Sequence, residues 1–155
     1  MSRESDVYTA LQSTALEALY LTGGLYKSED LGREGISRTE TSDVFDADGY
    51  LKPCGLIRLR STVNTGELSD YAHMLISLRE VIEITLYQDH GYATIDAAKS
   101  YILTVLTGAT FSSTFEMELV NILNRQRDNG ALNGASLIRM DWSIVSVSMD
   151  WPIGI

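Results

Sequence analysis

The stretch LREVIEITLYQDHGYATIDAAKSYILTVLTG, residues 78–108, decides the fold. Ile82, Ile84 and Leu86 alternate with Glu83, Thr85 and Tyr87, the period of a strand with one buried face. Asp89-His90-Gly91 breaks that run, and a glycine accepts the positive φ that a tight turn demands. Beyond it Ile95, Ala98, Ile102, Val105 and Leu106 recur at helical spacing, with Thr94 as the expected N-cap and Gly108 as the expected stop. A β-branched strand followed by a helix that must lie back on it predicts a sheet covered by helices on one face.

Working outward, residues 6–21 predict an N-terminal helix capped by Ser5 or Asp6. Val7, Leu11, Ala15 and Leu19 form its apolar stripe, widened by Tyr8, Leu16 and Ala18, and Thr22-Gly23-Gly24 ends it. The arm at residues 25–53 opens with a long loop, 25–48, rich in Gly, Ser, Thr and charge and anchored by Ile36, Val44 and Phe45. It has room for one irregular strand, and a loop of that length points to a functional or contact role. Asp46-Ala47-Asp48-Gly49 then predicts a β-turn, with Tyr50 and Leu51 opening the return strand and Pro53 interrupting it. The same residues fail as a calcium loop. Val44 stands where a ligand is needed, and Gly55 stands where the loop requires a glutamate.

Residues 55–63 form a strand with Ile57 and Leu59 on one side and Leu56, Arg58 and Arg60 on the other. Asn64-Thr65-Gly66 is a polar turn, and residues 71–77 fit either a helical turn or the lead-in to the next strand. After Gly108, Ser113 and Glu116 stand at capping-box spacing before Phe115, Leu119, Ile122 and Leu123, which predicts a second helix after the central one, ended by Asp128-Asn129-Gly130. Two closing strands follow, 135–140 and 143–151, separated by a bend or a bulge at Asp141-Trp142. In the last of them Val145, Val147, Met149 and Trp151 read as the buried face, and Ile144, Ser146, Ser148 and Asp150 as the half-exposed one. The predicted class is α+β: a mainly antiparallel sheet with an N-terminal helix and two further helices packed on one face, in one domain spanning residues 1–155.

The chain carries 12 Lys and Arg against 21 Asp and Glu, a formal charge of −9, so its surface repels phosphate and disfavours nucleic-acid binding by the domain as a whole. A lone cysteine, Cys54, allows no internal disulfide and suits a reducing compartment. Neither a signal-peptide run nor a stretch near the ~20 apolar residues of a membrane span is present, so synthesis in the cytoplasm is expected. Catalytic signatures are missing too: no nucleophile elbow, no P-loop and no dinucleotide fingerprint. Cys54, His73 and His90 do not make a zinc set. Asp89-His90 follows a strand, where active sites do occur, yet an adjacent Asp and His in a turn are more often polar loop residues. No catalytic, metal or cofactor residues are therefore assigned.

The order of elements resembles the tail terminator proteins of long-tailed bacteriophages, the lambda-like group. DVYTALQSTALEAL matches the family's first helix, VIEITLYQDHGYATIDAAKSYILTVL its central strand and helix, STFEMELVNILNR its late helix, and ASLIRMDWSIVSVSMDW its final strands. The resemblance covers most of residues 6–151 as a pattern of elements. It implies a structural virion protein of the tail or neck, made in the host cytoplasm. It would form a homohexameric ring at the head-proximal end of the tail tube, ending tube polymerisation. Its partners would be its own copies, the tail tube protein and a head-side connector or neck protein. It would have no cofactor, no membrane and no sequence-specific nucleic acid, with DNA passing through the ring. The alternatives are another neck or head–tail connector component, or a small acidic enzyme or ligand-binding domain using the His90 turn. The contact elements expected from the residues are the hairpin at Asp48, Gly49, Tyr50 and Leu51 and the apolar segment Trp151, Ile153 and Ile155.

Overall fold

The computed structural model describes residues 2–31, 36, 42–64, 75–111, 114–130 and 132–149. Its centre is a five-stranded sheet in the order β1-β2-β3-β5-β4, formed by β1 (Leu25–Lys27), β2 (Cys54–Asn64), β3 (Leu75–Gln88), β4 (Glu118–Arg127) and β5 (Ser136–Met149). Only β1 and β2 run parallel; the other pairs are antiparallel. The helices are α1 (Arg3–Gln12), α2 (Leu16–Leu19), α3 (Ser28–Leu31) and α4 (Ala93–Leu106). The class is α+β, as predicted.

The central strand, turn and helix form as the alternation requires. Ile82, Ile84 and Leu86 of β3 are fully buried and meet Ile95, Ala98, Ile102 and Leu106 of α4 in the main core. Each such side chain contributes ~1.5–3 kcal/mol by leaving water. His90 and Gly91 both take positive φ, 61° and 93°, which reverses the chain between strand and helix. Gly108, at φ 78°, follows the last helical turn. Thr94 does not cap α4; it lies within the first turn. The cap comes from the preceding strand, where the Gln88 side-chain carbonyl accepts the Ile95 amide at 2.9 Å.

The N-terminal helix begins earlier than its periodicity indicates, because Ser2 caps it by accepting the Ser5 amide at 3.1 Å. It also breaks. The Ser13 hydroxyl bonds back to the Ala10 carbonyl and that of Thr14 to the Leu11 carbonyl, competing with the helical ladder and separating α1 from α2. Val7, Leu11 and Leu16 still reach the same core. Within the predicted long loop, the structure places the short β1, the single turn α3 and a 3-10 turn at Ser42–Val44.

Two further predictions are overturned. The expected helix over Leu119 to Leu123 is the strand β4. Leu119 pairs with Trp142 and Ile122 with Met140, and an irregularity between Leu119 and Asn121 inserts one extra residue. That bulge carries both side chains onto one face at a spacing of three, which a regular strand does not allow and a helix does. The two closing strands are one continuous strand, β5, with neither a bend nor a bulge against β3 at Asp141-Trp142. Its inward face is Ile138, Met140, Trp142 and Ile144, all fully buried, whereas Val145 lies on the other side and is half-buried. The register with β3 sets this parity, since Met140 faces Ile84 and Trp142 faces Ile82.

A smaller second core covers one end of the opposite sheet face. It joins Ile36, Val44, Leu51, Cys54, Leu56, Leu132 and Ala135. Gly55 packs closely on the main core: a Cβ there would sit 2.9 Å from a Leu25 methyl and 3.2 Å from one of Leu86, so those side chains would have to shift.

Candidate functional site

Three features of the sheet face opposite α1 and α4 merit description. The first is the hairpin predicted at Asp46 to Leu51. Asp46 Oδ1 accepts the amides of both Asp48 and Tyr50 at 2.9 Å, and Gly49 takes φ 84°. Phe45 and Leu51 bridge below the turn. The tip docks on the β3–α4 turn: Asp89 Oδ2 accepts the Leu51 amide at 2.9 Å, and the Tyr50 and His90 rings meet edge to face at 4.4 Å. Asp89 and His90, the only pair with a catalytic reading, thus both hold the hairpin.

The expected contact residues separate here. Asp48 and Gly49 are exposed and Tyr50 is 48% exposed, whereas Leu51 is buried in the second core. The Leu51 side chain therefore anchors the hairpin and is not offered to a partner. Trp151, Ile153 and Ile155 lie outside the described residues, as does His73.

The second feature is a belt of charge across the middle of the face. Arg139 Nε lies 3.2 Å from Asp141 Oδ1 and its Nη1 lies 3.4 Å from Glu83. Arg60 reaches Asp141 at 3.4 Å and Glu83 at 3.9 Å. Glu83 and Asp141 are cross-strand partners, so two carboxylates stand side by side and two guanidiniums neutralise them. Arg60 enters the belt because a bulge between Leu59 and Ser61 sets it there. The sequence sets Arg58 and Arg60 on the side of β2 opposite Ile57 and Leu59 but does not show the partners of Arg60, which come from β3 and β5.

Beyond the belt the face opens into the third feature, a groove of about 530 Å³ lined by Arg79, Phe115, Glu116, Glu118, Ser143 and Val145. Arg79 and Val145 are cross-strand neighbours, and the Phe115 amide donates to the Val145 carbonyl at 2.8 Å. The Phe115 side chain stands largely free, 60% exposed. Sequence reading missed this site because it assigned Phe115 to the buried stripe of a helix.

The ionisable groups near these features are quiet chemically. Burial, with the Asp89 charge second, pushes the Cys54 thiol up to about 12, so it is no nucleophile at neutral pH. Burial likewise pushes the Tyr87 phenol up to about 12. Among the described residues no group of three or more His, Cys, Asp or Glu is placed to hold a metal ion, and no helix is long and apolar enough to cross a membrane. No protein-family model matches the chain, and no curated protein matches it by sequence.

Proposed function

We propose that the protein is a ring-forming structural subunit of a bacteriophage virion, ending the tail tube at its head-proximal end and joining it to the head-side connector. The observation that supports this reading most is the one-sided build of the sheet. Helices α1, α2 and α4 cover one face, and the other, covered at one end by the second core, ends in an open groove beside exposed Phe115. A face of that kind suits contact with a neighbouring copy. The engagement of Asp89 and His90 in holding the hairpin also favours a structural role for that turn. The likeness to tail terminators now rests on the N-terminal helix, the central strand and helix, and the closing strand; the segment matched to the family's late helix is a strand here.

Light scattering of the purified protein, with negative-stain images of the same sample, tests the reading. Rings, or caps seen on added tail tubes, support it. Rings that bind a connector and ignore tube ends redirect it to another neck component. A monomer that also ignores tube ends sinks it.

A further inference from the structure

The connection between β4 and β5 carries Asp128-Asn129-Gly130 and then Asn133-Gly134. Of the chain's asparagines only Asn129 and Asn133 precede glycine. An asparagine so placed is open to attack by the next backbone nitrogen, because glycine has no Cβ to hold that nitrogen off the side-chain carbonyl. Both asparagines are exposed, and neither side chain is hydrogen-bonded among the described residues. Sequence and exposure therefore rate the two pairs as equal. The backbone does not.

The Gly134 amide is fixed. It donates to the Asp128 carbonyl at 2.8 Å, which closes the hairpin loop, and Gly134 takes φ 86°. Its own carbonyl accepts from Arg127 Nη1 at 3.2 Å, and the next amide, of fully buried Ala135, donates to the Leu132 carbonyl at 2.8 Å. The Gly134 nitrogen can turn onto Asn133 only when this end of the loop opens. Gly130 is held far less. Its amide has one partner among the described residues, the Asp128 carboxylate at 3.2 Å, longer than the roughly 2.7–2.9 Å of a strong charge-assisted bond. The same oxygen takes the Leu132 amide at 2.9 Å. A bond to a side chain breaks without opening the hairpin. A Cβ built at Gly130 would meet nothing nearer than the Asp128 carboxylate at 3.7 Å, so the space around it is open.

We propose that Asn129 deamidates spontaneously in the folded protein and that the fold protects Asn133. Hydroxide takes the Gly130 amide proton, and the nitrogen bonds to Asn129 Cγ. The Cγ–Nδ2 bond breaks, and ammonia leaves with a proton from water, which restores the hydroxide. The succinimide so formed is opened by water at either ring carbonyl, giving an aspartate or an isoaspartate. The sum is asparagine and water to acid and ammonia, with nothing oxidised or reduced. The product puts a second carboxylate beside Asp128, and in the isoaspartate the main chain runs through the former side chain and is longer. Asp128 holds the amide of Leu132, whose side chain is 1% exposed in the second core, so the change falls next to the residue that seats that core. This inference is independent of the ring reading.

Peptide mapping tests it. Full-length protein is aged in mildly alkaline buffer, one sample folded and one unfolded in guanidinium chloride at the same pH. Trypsin cleavage after Arg127 and Arg139 leaves both asparagines in one peptide, and fragment masses assign conversion to each. In the folded sample conversion at Asn129 is expected to run at least about tenfold faster than at Asn133, the ratio imposed by a loop that opens about a tenth of the time or less. In the unfolded sample the two rates are expected to converge to within about threefold, since both asparagines then differ only in local sequence. Equal rates in the folded sample, or faster conversion at Asn133, overturn the proposal. So does an Asn129 that stays intact in the folded sample while the unfolded one converts. A tenfold ratio that persists unfolded overturns protection by the fold and assigns the difference to local sequence.

Discussion

Glu4 Oε2 accepts the backbone amide of Leu59 at 2.7 Å across 55 residues of sequence. The same carboxylate accepts from the Ser28 hydroxyl at 2.9 Å, and its other oxygen accepts the Glu29 amide at 3.1 Å. One side chain in the first helical turn thus satisfies the irregular point of β2 and the start of α3. Glu4 is 7% exposed, so these donors have little water to fall back on. Glu4→Ala is expected to cost roughly 2–4 kcal/mol by leaving them unpaired. Glu4→Gln, which keeps the shape and one acceptor, costs less. Urea unfolding measures both; equal effects of Ala and Gln would reduce the role of Glu4 to its charge.

The charge belt predicts an asymmetry. The Asp141 side chain is 5% exposed, and removing its charge leaves the Arg139 guanidinium facing only Glu83, so Asp141→Asn is expected to cost roughly 2–4 kcal/mol. The Arg60 side chain is 52% exposed, and Arg60→Ala costs about 1 kcal/mol or less. Denaturant midpoints of the two variants at one pH decide the matter. A loss at Arg60 as large as that at Asp141 would contradict it.

Gln88 supplies the cap that Thr94 was expected to supply. Gln88→Ala removes the acceptor for the Ile95 amide and is expected to lower stability by roughly 1–2 kcal/mol, whereas Thr94→Ala changes it by less than about 0.5 kcal/mol. Thermal melts followed by circular dichroism compare the two, and a larger loss at Thr94 would reverse the assignment.

Alkaline stability follows from two buried acids. Cys54 rises from its ordinary 9.0 to about 12 and Tyr87 from 10.0 to about 12, both through burial first. Below pH 9 both are protonated, folded or unfolded, and their contribution is complete. From pH 9 upward the unfolded chain loses these protons while the folded chain keeps them, so stability falls until pH reaches about 12. Melting temperatures are expected to be flat from pH 7 to pH 9 with respect to these groups and to drop above it. Cys54→Ala makes the drop shallower. An unchanged pH slope in that variant would remove Cys54 as a cause.

The sequence by itself determined the α+β class, the central strand, turn and helix and the Asp-Gly hairpin, because each is written in a local period or turn chemistry. Of the expected N-terminal stripe Val7, Leu11 and Leu16 are buried, whereas Ala15, Ala18 and Leu19 are exposed because the helix breaks at Ser13 and Thr14. Ile82, Ile84 and Leu86 need only alternation, and His90-Gly91 needs only a residue pair able to take positive φ. The tertiary structure alone decided which side of β5 faces the core. Alternation names two faces without saying which is buried, and pairing of Trp142 with Ile82 makes the choice. It also decided that Leu119 and Ile122 belong to a strand, since a bulge turns strand spacing into helix spacing. The groove escaped sequence reading for the same reason: Phe115, Arg79 and Val145 come from three separate stretches, and only sheet register brings them together.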